Sequence, residues 1–391
     1  MIDMCIKRPL DSFLEISPQL ILGNIKPMGH TIWFMEGLSS QRDLILGVKD
    51  FFKGTNKEIN VVASHRNNRN EILSLADIAL IEPADDEQRL SFIETTIDNY
   101  GVQVIHAGHN SPWFEAHRRE IESLGVSLTT GATSTAMLAL ADDKVQFALT
   151  MEAQGLPVVP STRIESAEAL RHQIECNTHT TEDKPLLCVK PVTGIYGMGF
   201  WCFDDNATPM SAFIHPNSRK VHPEMYLHAL EQQGNFEPLV LMPYLPGPEY
   251  SVDMLVEKGH VIAAVARRKE GALQYIEQSG PAYELAKKCA RIMQADGLVN
   301  VQTRNNDRGE PVLLEINMRP SGGIGYTRHS GVNLPALFAL RQLGLIEEPQ
   351  AKLLAIESFS PAVVRSMTDV IRYNPILDNL SASQGAYSHD D

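Results

Sequence analysis

Between Thr31 and Thr130 short apolar runs alternate with amphipathic stretches, and this alternation restricts the fold more than any other feature of the chain. Thr31 to Met35, Asn60 to Ser64, Ile78 to Ile81, Val102 to His106 and Val126 to Leu128 read as strands. A helical run to Phe52 follows Gly37-Leu38-Ser39-Ser40. Leu90, Ile93, Ile97 and Tyr100 form one helical stripe, and Phe114, Ile121 and Leu124 form another. Alternation of this kind implies a parallel sheet covered by helices. Such sheets bind ligands at the carboxyl ends of their strands, which sets Glu36, Gly37, Ser39, His65 and His106 beside a prospective pocket. The dinucleotide fingerprint is missing: Glu36-Gly37-Leu38-Ser39-Ser40-Gln41 has one glycine where three are needed, which argues against NAD. In His106-Ala107-Gly108-His109-Asn110, His106 and His109 suit either ligands or hydrogen-bonded scaffold.

Towards the other end, Val312-Leu313-Leu314-Glu315-Ile316-Asn317-Met318-Arg319-Pro320 reads as a strand. Alternate side chains share a face, so Glu315, Asn317 and Arg319 form one row while Leu314, Ile316 and Met318 turn into packing. Mg2+ takes oxygen ligands, keeps several waters and is usually completed by substrate phosphates. Glu315 and Asn317 could supply the protein's share, with Arg319 forking onto a phosphate or carboxylate. The same row equally suits the solvent side of an edge strand. A hairpin from Leu298-Val299-Asn300-Val301-Gln302 through a turn at Asn305 to Gly309 would bring Gln302 beside Glu315.

Four further stretches carry chemical content. A helix with Asp142 as N-cap, Asp143 in its first turn and its end at Gly155 holds Lys144 where a cation opposes the dipole, which fits an anion nearby or a solvated lysine. Leu186-Leu187-Cys188-Val189-Lys190 is a strand ending in lysine. It runs into a segment whose Gly194, Gly197 and Gly199 suit a phosphate-approaching loop or a tight hairpin. From Leu239 to Asp253, two strands flank a bend fixed by prolines and Gly247. That bend either offers backbone groups to an adenine edge, with Glu249 for ribose hydroxyls, or is a hinge. Val261 to Ala266 leads into Arg267-Arg268-Lys269, where only one of two adjacent residues can face a pocket. A helix over Pro281 to Asp296 follows, and after Arg319 comes Ser321-Gly322-Gly323-Ile324-Gly325 with Arg328 and His329 beyond.

The formal charge of -14 over 391 residues argues against a nucleic-acid backbone or an anionic membrane as main partner. The five cysteines, Cys5, Cys176, Cys188, Cys202 and Cys289, are odd in number and lack CxxC spacing, which implies a reducing compartment with neither a disulfide frame nor a zinc site. No stretch has signal-peptide or membrane-spanning character, so the chain reads as cytoplasmic.

In order and spacing these pieces resemble the ATP-grasp superfamily, in particular its carboxylate-amine ligases and the carbamoyl phosphate synthetase large subunit, over about residues 20 to 350. The series is Asp143-Lys144, Leu156-Pro157-Val158, Val189-Lys190 with its glycines, Tyr244 to Asp253, Asn300-Val301-Gln302 and Glu315 to Arg319. The resemblance implies an α/β fold with an N-terminal Rossmann-like pre-ATP-grasp domain over 1–135 and an ATP-grasp domain over 136–370. Within the latter it implies a small lobe at about 155–245 and a C-terminal lobe at about 246–350, with a polar tail over 371–391 beyond.

It further implies that Lys144, Lys190 and the loop glycines hold the nucleotide phosphates, that Pro243 C=O and Leu245 N–H take the adenine edge, and that Glu249 takes the ribose. Met242 stands where an acidic side chain often flanks adenine. Gln302, Glu315 and Asn317 resemble the metal ligands, the Gln matching the carbamoyl phosphate synthetase pattern. Arg319 and one of Arg267 and Arg268 resemble groups that offset charge at the transferred phosphoryl.

The implied cofactors are ATP and two Mg2+, with Mn2+ as an alternative ion. The implied partners are a small carboxylate and an amine, or a peptide or protein acceptor, and homodimers are common in the superfamily. The implied reaction joins the two through an acyl phosphate, without a covalent enzyme nucleophile. A nucleotide-binding regulatory protein and a carboxyphosphate-forming enzyme are the alternatives. Ser321, Arg328 and His329 are the expected contributors to substrate choice.

Overall fold

The computed structural model describes residues 29–55, 59–178, 186–194 and 197–370. Cys5, residues 179–184 of the polar insertion, Ile195, Tyr196 and the expected tail over 371–391 lie outside the described residues.

The N-terminal strands are β1 (His30–Phe34), β2 (Ile59–His65), β3 (Ile78–Ile81), β4 (Val104–His106) and β5 (Ser127–Thr129). They pair in parallel in the order β3-β2-β1-β4-β5. The sheet is apolar on both faces, as a helix-covered parallel sheet must be. Ile32 and Phe34 pack towards α1 (Ser40–Phe52), while Trp33 and Met35 pack towards α2 (Asp86–Tyr100). The Phe114, Ile121 and Leu124 stripe falls on two short helices, Ser111–Ala116 and Arg118–Ser123, which are broken at His117.

Two more helices lead out of this region. α3 (Thr135–Asp142) is capped by Ser134, whose hydroxyl accepts from Met137 N. α4 (Lys144–Ala153) is capped by Asp143, whose carboxylate accepts from Val145 N and Gln146 N, each at 3.0 Å. The expected N-cap at Asp142 is therefore corrected by one residue, and the helix ends before Gly155. A carboxylate at the cap satisfies two orphan N–H groups, whereas Asp142 still belongs to the preceding helix.

A second sheet contains β7 (Thr162–Ile164), β8 (Leu187–Pro191), β9 (Trp201–Phe203), β10 (Lys220–Val221) and β11 (Leu239–Pro243), in the order β10-β9-β8-β11-β7. The last sheet contains β12 (Glu249–Glu257), β13 (His260–Glu270), β14 (Leu273–Glu277), β15 (Ala295–Asn305), β16 (Pro311–Asn317) and β17 (Ala362–Val364). Its order is β16-β15-β12-β13-β14-β17, antiparallel throughout. β6 (Gly131–Ala132) also pairs with β15 and ties the N-terminal region to this sheet.

Strand parity divides the work of that sheet. Val252, Met254 and Val256 of β12 join a core with Phe147 and Met151 of α4 and with Leu285 and Cys289 of α5 (Pro281–Ile292). On the opposite face, Leu255, Ala263, Val265 and Leu298 share a core with α1 and with Leu337 and Phe338 of α6 (Leu334–Gln342). Further along that same face the side chains turn polar: Asp253, Ser251 and Glu249 follow in steps of two towards the cleft. One sheet face therefore begins as a shared hydrophobic core and ends as the wall of a polar cavity. Among the described residues no helix is long and apolar enough to cross a membrane.

Candidate active site

A cleft of about 450 Å³ lies between β8 and β11 of the second sheet and the polar end of the last sheet. Its charged floor is built by strand register. β15 sets Gln302 directly opposite Glu315 of β16, with a bulge just after Gln302. Asn317, two residues on, shares the row: its Nδ2 donates to Glu315 Oε1 at 3.4 Å, and Arg319 Nη2 donates to Asn317 Oδ1 at 3.1 Å. From β8 across the cleft, Lys190 Nζ donates to Glu315 Oε2 at 3.0 Å. Lys144 is buried at the first position of α4, and its Nζ donates to Val192 O and Gly194 O, both at 3.1 Å.

The electrostatics follow from this crowding. Burial acts to raise the Glu315 pKa, but the Lys190 and Lys144 ammonium groups, with hydrogen bonds from Lys190 and Asn317, hold the carboxyl below its ordinary value. Burial outweighs the neighbouring carboxylates at Lys144 and lowers its pKa. An anion bridging Lys144 and Lys190 would relieve both that desolvation and their mutual repulsion.

The hinge forms the other wall. Tyr244 N donates to Leu186 O at 2.6 Å, which makes 244/186 a hydrogen-bonded pair and 243/187 a non-hydrogen-bonded one. Proline at 243 therefore costs the ladder no bond. Met242, Pro243, Tyr244 and Leu245 all line the cleft, and Leu245 N–H makes no hydrogen bond among the described residues. Glu249 lines it too, paired with Lys269. Gly194, Gly197 and Gly199 adopt φ values of 122°, 63° and 69°, which only glycine adopts readily. Gly194 and Gly197 face the cleft, whereas Gly199 packs at the base of the loop, where a Cβ would lie 2.8 Å from Pro191 Cδ.

Arg267 and Arg268 do not reach the cleft. Arg267 is buried beneath the loop after Arg319, donating to Asp253 Oδ2 (2.8 Å), Gln274 Oε1 (2.7 Å), Ser251 Oγ (3.2 Å) and Ser321 Oγ (2.8 Å). Arg268 takes the other face of β13, pairs with Glu277 and Glu270, and stacks 4.4 Å over the Tyr275 ring. The expectation that one of them lies at the phosphoryl group is corrected: β13 runs under that loop, so Arg267 is spent on buried partners. Arg328 pairs with Asp50 rather than facing the cleft, His329 is not part of the cleft lining, and Ser321 is.

At the N-terminal strand ends, Gly37 and His106 border a small crevice against Arg319 and Pro320. Burial depresses the His106 pKa to about 4, and its ring packs on Phe34 and Phe338, the scaffold role. Glu36 and His65 face each other at 3.8 Å inside a network with Arg66 and Glu82, and Ser39 sits outside the crevice lining. Two cleft residues escaped the motif reading: Lys269, and Arg304, whose Nε donates to Gly247 O at 3.1 Å and whose Nη2 donates to Tyr244 Oη at 3.0 Å. The signal was strand period, since Arg304 stands two residues after Gln302.

A divalent ion would meet oxygens of Glu315, Asn317 and Gln302, one carboxylate and two amides. This donor set fits a Mg2+ ion that shares its shell with phosphates and water rather than one held in a protein cage. Among the described residues no three His, Cys, Asp or Glu side chains cluster as such a cage.

Residues 235–369 match the family model described as "ATP-grasp in the biosynthetic pathway with Ter operon". No curated protein matches the chain in sequence. Among solved structures, an ADP complex of N5-carboxyaminoimidazole ribonucleotide synthetase superposes with a TM-score of 0.58 at 16% identity, covering 82% of this chain and 78% of that one. An L-amino acid ligase from Bacillus licheniformis gives 0.55 at 14% identity, covering 83% and 78%. A biotin carboxylase from Campylobacter jejuni in its beta-gamma-ATP complex gives 0.55 at 16% identity, covering 85% and 74%. By its three-sheet architecture and these superpositions the chain has the ATP-grasp fold, and its residues 235–369 carry the match to an ATP-grasp family model.

Proposed function

We propose that the protein is an ATP-dependent ligase that joins a carboxylate to an amine through an acyl phosphate, releasing ADP and phosphate. The observation that carries this reading is the Lys190–Glu315–Asn317–Arg319 row facing Lys144, at one end of a cleft whose other end is the 243–245 hinge. The hinge suits an adenine edge through Pro243 C=O and Leu245 N–H, and Glu249 in the same lining would take ribose hydroxyls. Lys144 and Lys190 then meet the phosphates, and Gly194 and Gly197 allow the loop backbone to close on them. Mg2+, when bound at Glu315, Asn317 and Gln302, would neutralise phosphate charge and orient the γ-phosphoryl group.

The rate problem is bringing two anions together, so cations and positioning supply most of the acceleration. Arg319, which bonds Asn317 and lines the cleft, would meet the attacking carboxylate. Carboxyphosphate chemistry is the second reading, favoured by Gln302 and by the likeness to biotin carboxylase.

The test is ADP release from MgATP with pooled amino acids and small carboxylates. Release that needs carboxylate and amine together, and that disappears in Glu315→Gln, is the expected result. Full turnover in Glu315→Gln refutes the assignment, and release stimulated by bicarbonate alone transfers it to the second reading.

A further inference from the structure

A second cavity of about 400 Å³ adjoins the nucleotide cleft, and the two share Lys144, Glu315, Asn317 and Arg319 as a common wall. Its remaining lining divides by chemistry. Pro112, Leu138, Ala141 and Met318 are apolar, whereas His109 and Asp142 are polar and exposed. This volume is within the range that holds small substrates. It opens where a phosphoryl group carried by the Lys144 wall would be handed on.

His109 is held in place by its backbone. At Gly108, with φ 65°, any Cβ would lie 2.1 Å from Glu36 O, so only glycine permits the close approach. His109 N donates to Glu36 O at 2.6 Å, and Ser111 Oγ donates to Gly108 O at 3.1 Å. Glu36 is fixed in turn, by its N–H donating to Glu82 Oε1 at 2.6 Å and by its ion pair with Arg66. The N-terminal sheet thus presents one imidazole at the end of a pinned turn, and that ring makes no hydrogen bond among the described residues.

Resting on the ligase reading, we infer that the second cavity is the amine site, that it takes a primary amine on a small apolar skeleton, and that His109 accepts the ammonium proton. The other titratable groups of the cavity are unsuited to that task. In that reading Lys144 meets the phosphates, Arg319 the attacking carboxylate and Glu315 the metal ion, and the Asp142 carboxylate is suited to hold the ammonium. In the step, His109 takes one proton from the ammonium and the freed nitrogen pair forms the C–N bond to the acyl carbon. The acyl C–O bond breaks with its electron pair going to phosphate, which carries away the second nitrogen proton.

Hydroxylamine tests this, because it is already unprotonated at neutral pH and traps acyl phosphates without a base. His109→Asn and the wild type are compared for hydroxamate formation from pooled carboxylates and for amide formation from the amino-acid pool. Amide formation should fall about 100-fold in the variant, the scale of a lost general base, with hydroxamate formation falling at least tenfold less. An equal fall in both, or in neither, overturns the assignment of His109. Absence of both hydroxamate and ADP in the wild type overturns the ligase reading itself, a separate result. Asp142→Asn supplies a second variant, expected to raise KM for the amine while hydroxamate formation again falls less. An unchanged amine KM removes Asp142 from the site.

Discussion

Replacing Arg267 by methionine distinguishes a catalytic arginine from a structural one. Its side chain is 3% exposed and that of its partner Asp253 is 0% exposed, so both charges are desolvated. In Arg267→Met the Asp253 carboxylate keeps only the Asn300 Nδ2 donor at 3.0 Å, and Gln274, Ser251 and Ser321 each lose a donor. Breaking one side of a buried pair costs about 3–5 kcal/mol, because the remaining charge is uncompensated. Removing both charges in Arg267→Met/Asp253→Leu should recover most of that loss, since well-packed apolar groups replace buried pairs at little cost. Urea unfolding of the single and double variants measures this directly. Turnover in the folded fraction should survive with a raised nucleotide KM, because Arg267 holds Ser321, which lines the cleft. A loss below about 1 kcal/mol in Arg267→Met would refute the buried-pair reasoning. Complete loss of turnover with stability and nucleotide binding intact would return Arg267 to the catalytic role its sequence position suggested.

Two further outcomes follow from the charge and burial of the cleft. The Glu315 carboxyl is held below its ordinary 4.5, so its ionised form contributes stability above that value and loses it as pH falls through the folded-state pKa. The unfolding free energies of wild type and Glu315→Gln should therefore differ by a constant amount near neutrality and converge under acid, and a gap that widens under acid contradicts the pairing. Among the four described cysteines, Cys176 is exposed, while burial pushes the Cys188 thiol up to about 12 and raises Cys202 and Cys289. Iodoacetamide near pH 8 should label Cys176 first by mass spectrometry; Cys188 reacting equally fast would mean that the cleft floor is open to thiolate formation.

What could be read from the sequence was whatever depends on period. The N-terminal strands were visible because they are apolar on both faces, and Ile78–Ile81 agrees residue for residue with its expected span. Parity also put Gln302 opposite Glu315, and it required Arg267 and Arg268 to diverge. Parity gives no information about what covers a face, and the unforeseen features arise there. Ser251, Asp253 and Leu255 alternate on one side of β12, yet the first two meet Arg267 and the third meets the core of α1 and α6. That change of environment within four residues depends on contacts between segments hundreds of residues apart, such as Asn333 Nδ2 donating to Gly47 O at 2.8 Å. The close approach of that helix pair is itself sterically fixed: a Cβ on Gly47 would lie 2.8 Å from Pro335 Cβ. The N-terminal sheet is thereby held against the last sheet, and its pinned His109 turn faces the same cavity as Arg319. Local pattern located the groups on each strand, but the docking of α1 on α6 decides which of them share a cavity.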